Sequence, residues 1–181
     1  MSLHHEHPDT GAIAAPMQRA LALGESVATL TSPNPRVGCV ITDAQGRILG
    51  EGATQRAGGP HAEVMALRAL GRKPAPDAVL HVTLEPCCTH GRTPPCVDAI
   101  VAAGFRTVVV GALDPNPAHA GKGLDSLRAR GVAVVEGVLA DECAALNPIF
   151  NHWIARRSPL MALKVASTLD GKLTLPAGQG R

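Results

Sequence analysis

The sequence predicts an α/β fold in three layers, α/β/α, with a five-stranded mixed sheet carrying helices on both faces. Three observations carry that prediction. Helical and strand-like segments follow one another in the order αββαβαβαβα. The first two strand-like runs are joined by a turn signal and so pair antiparallel, whereas the later runs are separated by helices and so run parallel. The chain has 181 residues, 45% hydrophobic and 18% charged, enough to bury the core of one domain.

From about residue 14 to 28 apolar residues recur at helical spacing, and "TSPNPRVG" stops the helix with two prolines. "RVGCVITD" and "GRILGEG" form the hairpin around "DAQG". "GGPHAEVMALRALG" reads as a helix from Pro60 to Leu70, with Pro60 in its first turn, Val64, Leu67 and Leu70 on one face, and Gly71 as its left-handed stop. "VLHVTLE" is the third strand, "TPPCVDAIVAAG" a helix capped by Thr93 and stopped by Gly104, and "TVVVGALD" the fourth strand. A helix at "LDSLRARG", a strand at "VAVVEGVL" and a helix from Asp141, kinked or restarted by Pro148, complete the order.

A formal charge of +2 argues against a nucleic-acid or membrane partner. The chain has no Tyr, and Phe105, Phe150 and Trp153 read as core, which leaves little to stack on unpaired bases. No apolar run reaches the roughly 18 residues of a membrane span, and no signal peptide opens the chain, so a cytoplasmic location is expected. Five cysteines there read as thiols or metal ligands rather than disulfides. Residues 1–13, with His4, His5 and His7, read as a flexible tail.

The chemistry concentrates where helices start. His61, Cys87 and Cys96 fall at predicted element starts, and such starts converge at the carboxyl edge of an α/β sheet. One imidazole and two thiolates make a zinc donor set of three, leaving a fourth tetrahedral position for water. In mid-helix, residues at i and i+2 point to nearly opposite sides, so "HAE" serves one ion only if the helix presents its first turn end-on. Glu63 then acts not as a ligand but as the group that moves a proton from water to a leaving amine. This is the arrangement of zinc nucleobase deaminases. Cys39, Cys88 and Cys143 read as packing, and His81, His119 and His152 as ordinary surface or hydrogen-bonded residues.

The segments "NPRVGCVI", "HAEVMALRALG", "VTLEPCCTHGRTPPC" and "DPNP" resemble the deaminase half of the bifunctional riboflavin biosynthesis deaminase-reductase family, over residues 14–157. The eight residues between Cys87 and Cys96 carry that resemblance most, because nucleoside, guanine and tRNA adenosine deaminases generally place two there. It implies a cytidine-deaminase-like fold, a homo-oligomer, and hydrolytic deamination of 2,5-diamino-6-(phosphoribosylamino)pyrimidin-4-one. It also implies one zinc per chain on His61, Cys87 and Cys96, with Glu63 as proton shuttle, and associates Asn34, Asp114 and Asn116 with substrate. An amino-pyrimidine edge needs amide and carboxylate groups of that kind, and a phosphate needs Arg92, Lys122 or backbone N–H groups. His90 is a further candidate for the pocket.

Plainer readings stand beside these. Asn34 and Asn116 are also turn formers beside proline, and Lys122 also reads as a solvated side chain. Thr54 and Thr89 stand where the family usually has histidine, which bears on substrate contacts rather than on the metal and keeps a different base open as substrate. A structural zinc module, with a fourth protein ligand such as Cys88 or His90, is the reading of another class. Residues 158–181, including "SPLMALKVASTLDGKLTL", resemble the opening of the family's reductase domain. They are too few to form a nicotinamide site, so no reductase activity and no nicotinamide cofactor are expected.

Overall fold

A computed structural model describes residues 10–117 and 119–173, and His4, His5 and His7 lie outside it. Among the described residues the elements follow in the order α1 Thr10–Ser26, β1 Gly38–Thr42, β2 Ile48–Ala53, α2 Ala62–Leu70, β3 Val79–Leu84, α3 Cys96–Ala103, β4 Thr107–Ala112, α4 Lys122–Ala129, β5 Ala133–Glu136, α5 Ala140–Ala145 and α6 Pro148–Arg156. The sheet order is β2-β1-β3-β4-β5, with β1 antiparallel to β2 and β3, and with β3, β4 and β5 parallel. This is the mixed, three-layer architecture that the segment order predicts.

Small residues set how closely the layers approach. A Cβ on Gly38 would run into the backbone of α1 at Ala20, which brings α1 down onto one face. Cys39 and its partner Gly52 point to the opposite face, because neighbouring strand residues alternate. There α2 lies on Gly50 and Gly52, and a Cβ on Gly50 would stand 2.7 Å from the Ala66 carbonyl oxygen. The buried face of α2 accordingly runs through Ala62, Ala66 and Leu70, while Val64 and Leu67 are only half-buried. Met17, Ile41, Leu80, Ile100, Leu124 and Leu127 are among the fully buried side chains of the core between these layers. Burial of such side chains contributes about 1.5–3 kcal/mol each.

Several element ends differ from expectation. Helix α1 begins at Thr10, so residues 10–13 are helical and Pro16 lies inside the helix, not near its start. Helix α2 begins at Ala62, with His61 extended at its N-cap (φ −78°, ψ 168°), so Pro60 precedes the helix. Thr93 does not cap α3: two prolines hold the chain extended up to Cys96, and Cys87 takes the capping role. Strand β5 stops at Glu136 because Gly137 turns out of the sheet at φ 84°. Pro148 restarts rather than kinks the helix, standing in the first turn of α6.

The aromatic expectation divides. Phe105 is in the core, but α6 buries no residue: Trp153 is 49% exposed and Phe150 is half-buried. Cys39 and Cys143 are buried, and Cys88 packs half-buried against the core. His81 is buried, not at the surface; its Nε2 meets Thr42 Oγ1 at 3.1 Å, and burial pushes its pKa down to about 4. Beyond Arg157 the described residues carry no helix or strand, and Met161 and Leu163 are about nine-tenths exposed. Among the described residues no helix is long and apolar enough to cross a membrane.

Candidate metal centre and substrate cavity

Because β1 is antiparallel to β2 and β3, the start of β1 and the ends of β2, β3 and β4 meet at one edge of the sheet. The segments that leave this edge carry Asn34, Thr54, Glu85 to Cys87, and Asp114 to His119, and the starts of α2 and α3 join them. The expected site residues are thus gathered by topology, although they are spread over much of the chain.

His61 Nδ1 lies 3.2 Å from Cys96 Sγ and 3.6 Å from Cys87 Sγ, and the three donor atoms all fall within 4.8 Å of one another. Donors at tetrahedral zinc distances stand roughly 3.6 Å apart, so this set fits one zinc ion. The other imidazole nitrogen, Nε2, faces Thr93 Oγ1 at 3.4 Å, which fixes the ring with Nδ1 toward the sulfurs. Cys87 organises α3 at the same time: its sulfur receives the Cys96 amide at 3.3 Å and its carbonyl the Val97 amide at 3.2 Å. The sulfur therefore satisfies a helix-start N–H that a hydroxyl cap would otherwise take.

Electrostatics in the site favour a cation. Cys87 is lowered, first by its hydrogen bond with Cys96, while Cys96 is raised by that same bond, by burial and by the Glu63 charge. The His61 pKa is raised, chiefly through its hydrogen bond with Cys87. A dication held by these donors would offset the crowding of sulfur and carboxylate charge. Glu63 is only 3% exposed, and burial raises its pKa above the usual carboxylate range, as suits a group that must both take up and release a proton.

A cavity of about 250 Å³ opens beside the donors, and Glu63, Asn34, Thr54, Asp114, Asn116 and His119 are among its walls. Arg92 lies in an adjoining recess with Gly58, Gly59, Thr89 and Thr93. Two expected contacts fall elsewhere. His90 is exposed, its Nδ1 turned to the Gly91 carbonyl, and it lines neither space; Lys122 is exposed in the first turn of α4 and lines neither. Gly121, beside Lys122, stands at a positive φ of 78°. Neither Cys88 nor His90 joins the donor cluster among the described residues.

Three residues that sequence reasoning passed over complete the site. Glu85, 5% exposed, receives the backbone N–H groups of Asp114 (3.1 Å), Gly121 (2.9 Å) and Gly123 (2.8 Å), and so closes the "DPNP" loop upon itself. Its sequence signal is the "GKG" pair, since a Cβ on Gly123 would collide with Pro86 and Glu85. Asn147 receives the Arg36 amide at 2.7 Å and donates to the Arg36 carbonyl at 2.8 Å, which anchors the "PNPR" loop that carries Asn34. His119 is not an ordinary surface residue but a half-buried one on the cavity wall, and no spacing rule singles it out.

A buried carboxylate beside one imidazole and two thiols, at the helix-start edge of a mixed sheet, is the arrangement found in the class of zinc nucleobase deaminases. A family model for the cytidine and deoxycytidylate deaminase zinc-binding region matches residues 13–112, and the chain belongs to that family. It is 47% identical to the riboflavin biosynthesis protein RibD of Actinobacillus pleuropneumoniae over 165 residues, 91% of this chain and 43% of that protein. Among solved structures, RibD of Acinetobacter baumannii matches with a TM-score of 0.88 at 42% identity, over 96% of this chain and 48% of its own. A diaminohydroxyphosphoribosylaminopyrimidine deaminase/5-amino-6-(5-phosphoribosylamino)uracil reductase of Thermotoga maritima matches at 0.84 and 43% identity, over 90% of this chain and 47% of its own. The chain spans about half the length of these relatives.

Proposed function

We propose that this chain catalyses hydrolytic deamination of 2,5-diamino-6-(phosphoribosylamino)pyrimidin-4-one in riboflavin biosynthesis, with one zinc per chain on His61, Cys87 and Cys96. The observation that carries the substrate is the RibD likeness over 91% of the chain, joined to a site with the buried Glu63 beside the donors. A matched stretch of 165 residues reaches past Arg157 wherever it begins, which supports reading residues 14–157 as the deaminase domain and 158–181 as the opening of the relatives' other half. A homo-oligomer, which the family resemblance implies, belongs to the same reading and is testable by gel filtration.

Zinc, when bound, acts as a Lewis acid that makes water a nucleophile at neutral pH. The remaining roles belong to this chain's side chains. The water oxygen bonds to the ring carbon bearing the amine, one water proton ends on the ring nitrogen and the other leaves with ammonia, so C–NH2 becomes C=O. Glu63 carries the protons between these atoms, since its raised pKa lets it accept and return them. Asn34, Asp114 and Asn116 supply amide and carboxylate contacts for the heterocycle, and Arg92, in the adjoining recess, supplies charge for the phosphate. His90 and Lys122 would reach substrate only through movement of the rim. Replacing Glu63 by Gln keeps shape and zinc content and is expected to lower kcat by roughly 10²–10⁴-fold. Ammonia release from that substrate, measured beside metal content, checks this, and an active, zinc-loaded Glu63→Gln enzyme refutes the mechanism. Cytidine turning over faster than the phosphorylated pyrimidine refutes the substrate.

A further inference from the structure

His119 shares the cavity wall with Glu63, Asp114 and Asn116, apart from the recess that holds Arg92. Its backbone is fixed on both sides: its N–H bonds to the Asn116 carbonyl at 2.8 Å, and its carbonyl receives the Lys122 amide at 2.7 Å. Glu85 clamps the loop ends at Asp114 and Gly121. The backbone of His119 is therefore tied to Asn116 and Lys122.

The two ring nitrogens differ. Nδ1 is enclosed and has no hydrogen-bond partner among the described residues, and Nε2 is not one of the enclosed, unpartnered atoms. An enclosed N–H without an acceptor is rarer and costlier than an enclosed lone pair, so the hydrogen belongs on Nε2. The Thr54 hydroxyl, on the same cavity, is turned to the Val37 carbonyl at 3.5 Å and offers nothing comparable. That leaves the ring of His119, which lines the cavity, with one unspent donor.

We propose that His119 is a specificity-determining residue whose Nε2–H donates to a ring carbonyl oxygen of an oxo-aminopyrimidine seated against Glu63. This rests on the deaminase reading above and deepens it, because it selects bases with an oxygen acceptor in the ring plane. A lost hydrogen-bond donor weakens retention of substrate more than it slows the proton transfers at Glu63.

The test uses the zinc-loaded full chain, His119→Leu, and His119→Gln, whose side-chain amide returns a donor at similar reach. With 2,5-diamino-6-(phosphoribosylamino)pyrimidin-4-one, His119→Leu is expected to raise KM by about tenfold or more with kcat within about threefold, while His119→Gln stays within about threefold in both. Leu behaving as wild type, or Leu and Gln failing alike, overturns the proposal. Ring ¹⁵N–¹H correlation spectra, with the His119 signal assigned by its loss in His119→Gln, give a readout independent of turnover: the Nε2–H form supports the proposal and the Nδ1–H form overturns it. A wild-type chain inactive on this pyrimidine defeats the substrate reading alone, and the spectra still decide the role of His119.

Discussion

The two walls of the cavity are built in opposite ways. On the metal side, His61 and Cys96 sit at or beside the first residues of α2 and α3, so the helices themselves aim the donors, and Gly50 and Gly52 seat α2 on the sheet. On the loop side, Asn34, Asp114, Asn116 and His119 belong to segments with no helix or strand around them, held by single buried side chains far away in sequence: Glu85 for one loop and Asn147 for the other. Secondary structure thus fixes where chemistry occurs, and isolated polar clamps fix what is recognised. Damage to one wall should remove metal and turnover together, whereas damage to the other should weaken substrate binding and leave metal in place.

The largest expected effect tests the metal wall. Cys96→Ala removes one of three donors and leaves Cys87 and His61 unable to hold zinc in a tetrahedral site. Zinc content should fall from about one to below about 0.1 per chain, and ammonia release should fall to background. The loop wall should persist, since the hydrogen bonds through which Glu85 and Asn147 hold it do not involve Cys96. A Cys96→Ala protein that retains zinc and activity would break the contrast.

Glu85→Gln tests the opposite wall with the next largest effect. Three backbone N–H groups converge on two carboxylate oxygens, and the amide replaces one of those oxygens by a group that is itself a donor. The loss should be about 3 kcal/mol, read as a fall of roughly 6–12 °C in Tm for a domain of this size. Zinc content should be unchanged and KM should rise. Loss of zinc in Glu85→Gln would show that the two walls are not independent.

The same division explains what the sequence makes legible. The donors and Glu63 stand out because Pro60, Pro94 and Pro95 mark helix starts, and reactive side chains at helix starts converge by topology. Strand pairing follows from connection lengths for the same local reason. Glu85 and Asn147 are hard to see because their partners are backbone N–H and carbonyl groups, which every residue has, and only Gly123, the glycine after Lys122, hints at Glu85. His90 and Lys122 are the reverse case: their residue types suit a phosphorylated ligand, but both are exposed and line neither the cavity nor the recess. Phe150 and Trp153 read as core only while α6 is assumed to lie on the sheet. It packs instead on α5 and the rim, where Phe150 becomes cavity wall.

Asn147→Ala sharpens the contrast with the smallest effect. Asn147 is 5% exposed and exchanges two hydrogen bonds with the backbone of Arg36, so truncation leaves one donor and one acceptor of the "PNPR" loop to find water. The loss is limited because the Arg36 guanidinium also bonds to the Leu146 carbonyl and ties the same two segments together. A cost of about 1 kcal/mol follows, with Tm lowered by roughly 2–4 °C. Since Asn34 lies two residues from the clamp, KM for the aminopyrimidine should rise severalfold while kcat and zinc content hold. If kcat fell with KM unchanged, the loop would be acting on the proton transfers at Glu63, and recognition would not be separable from chemistry.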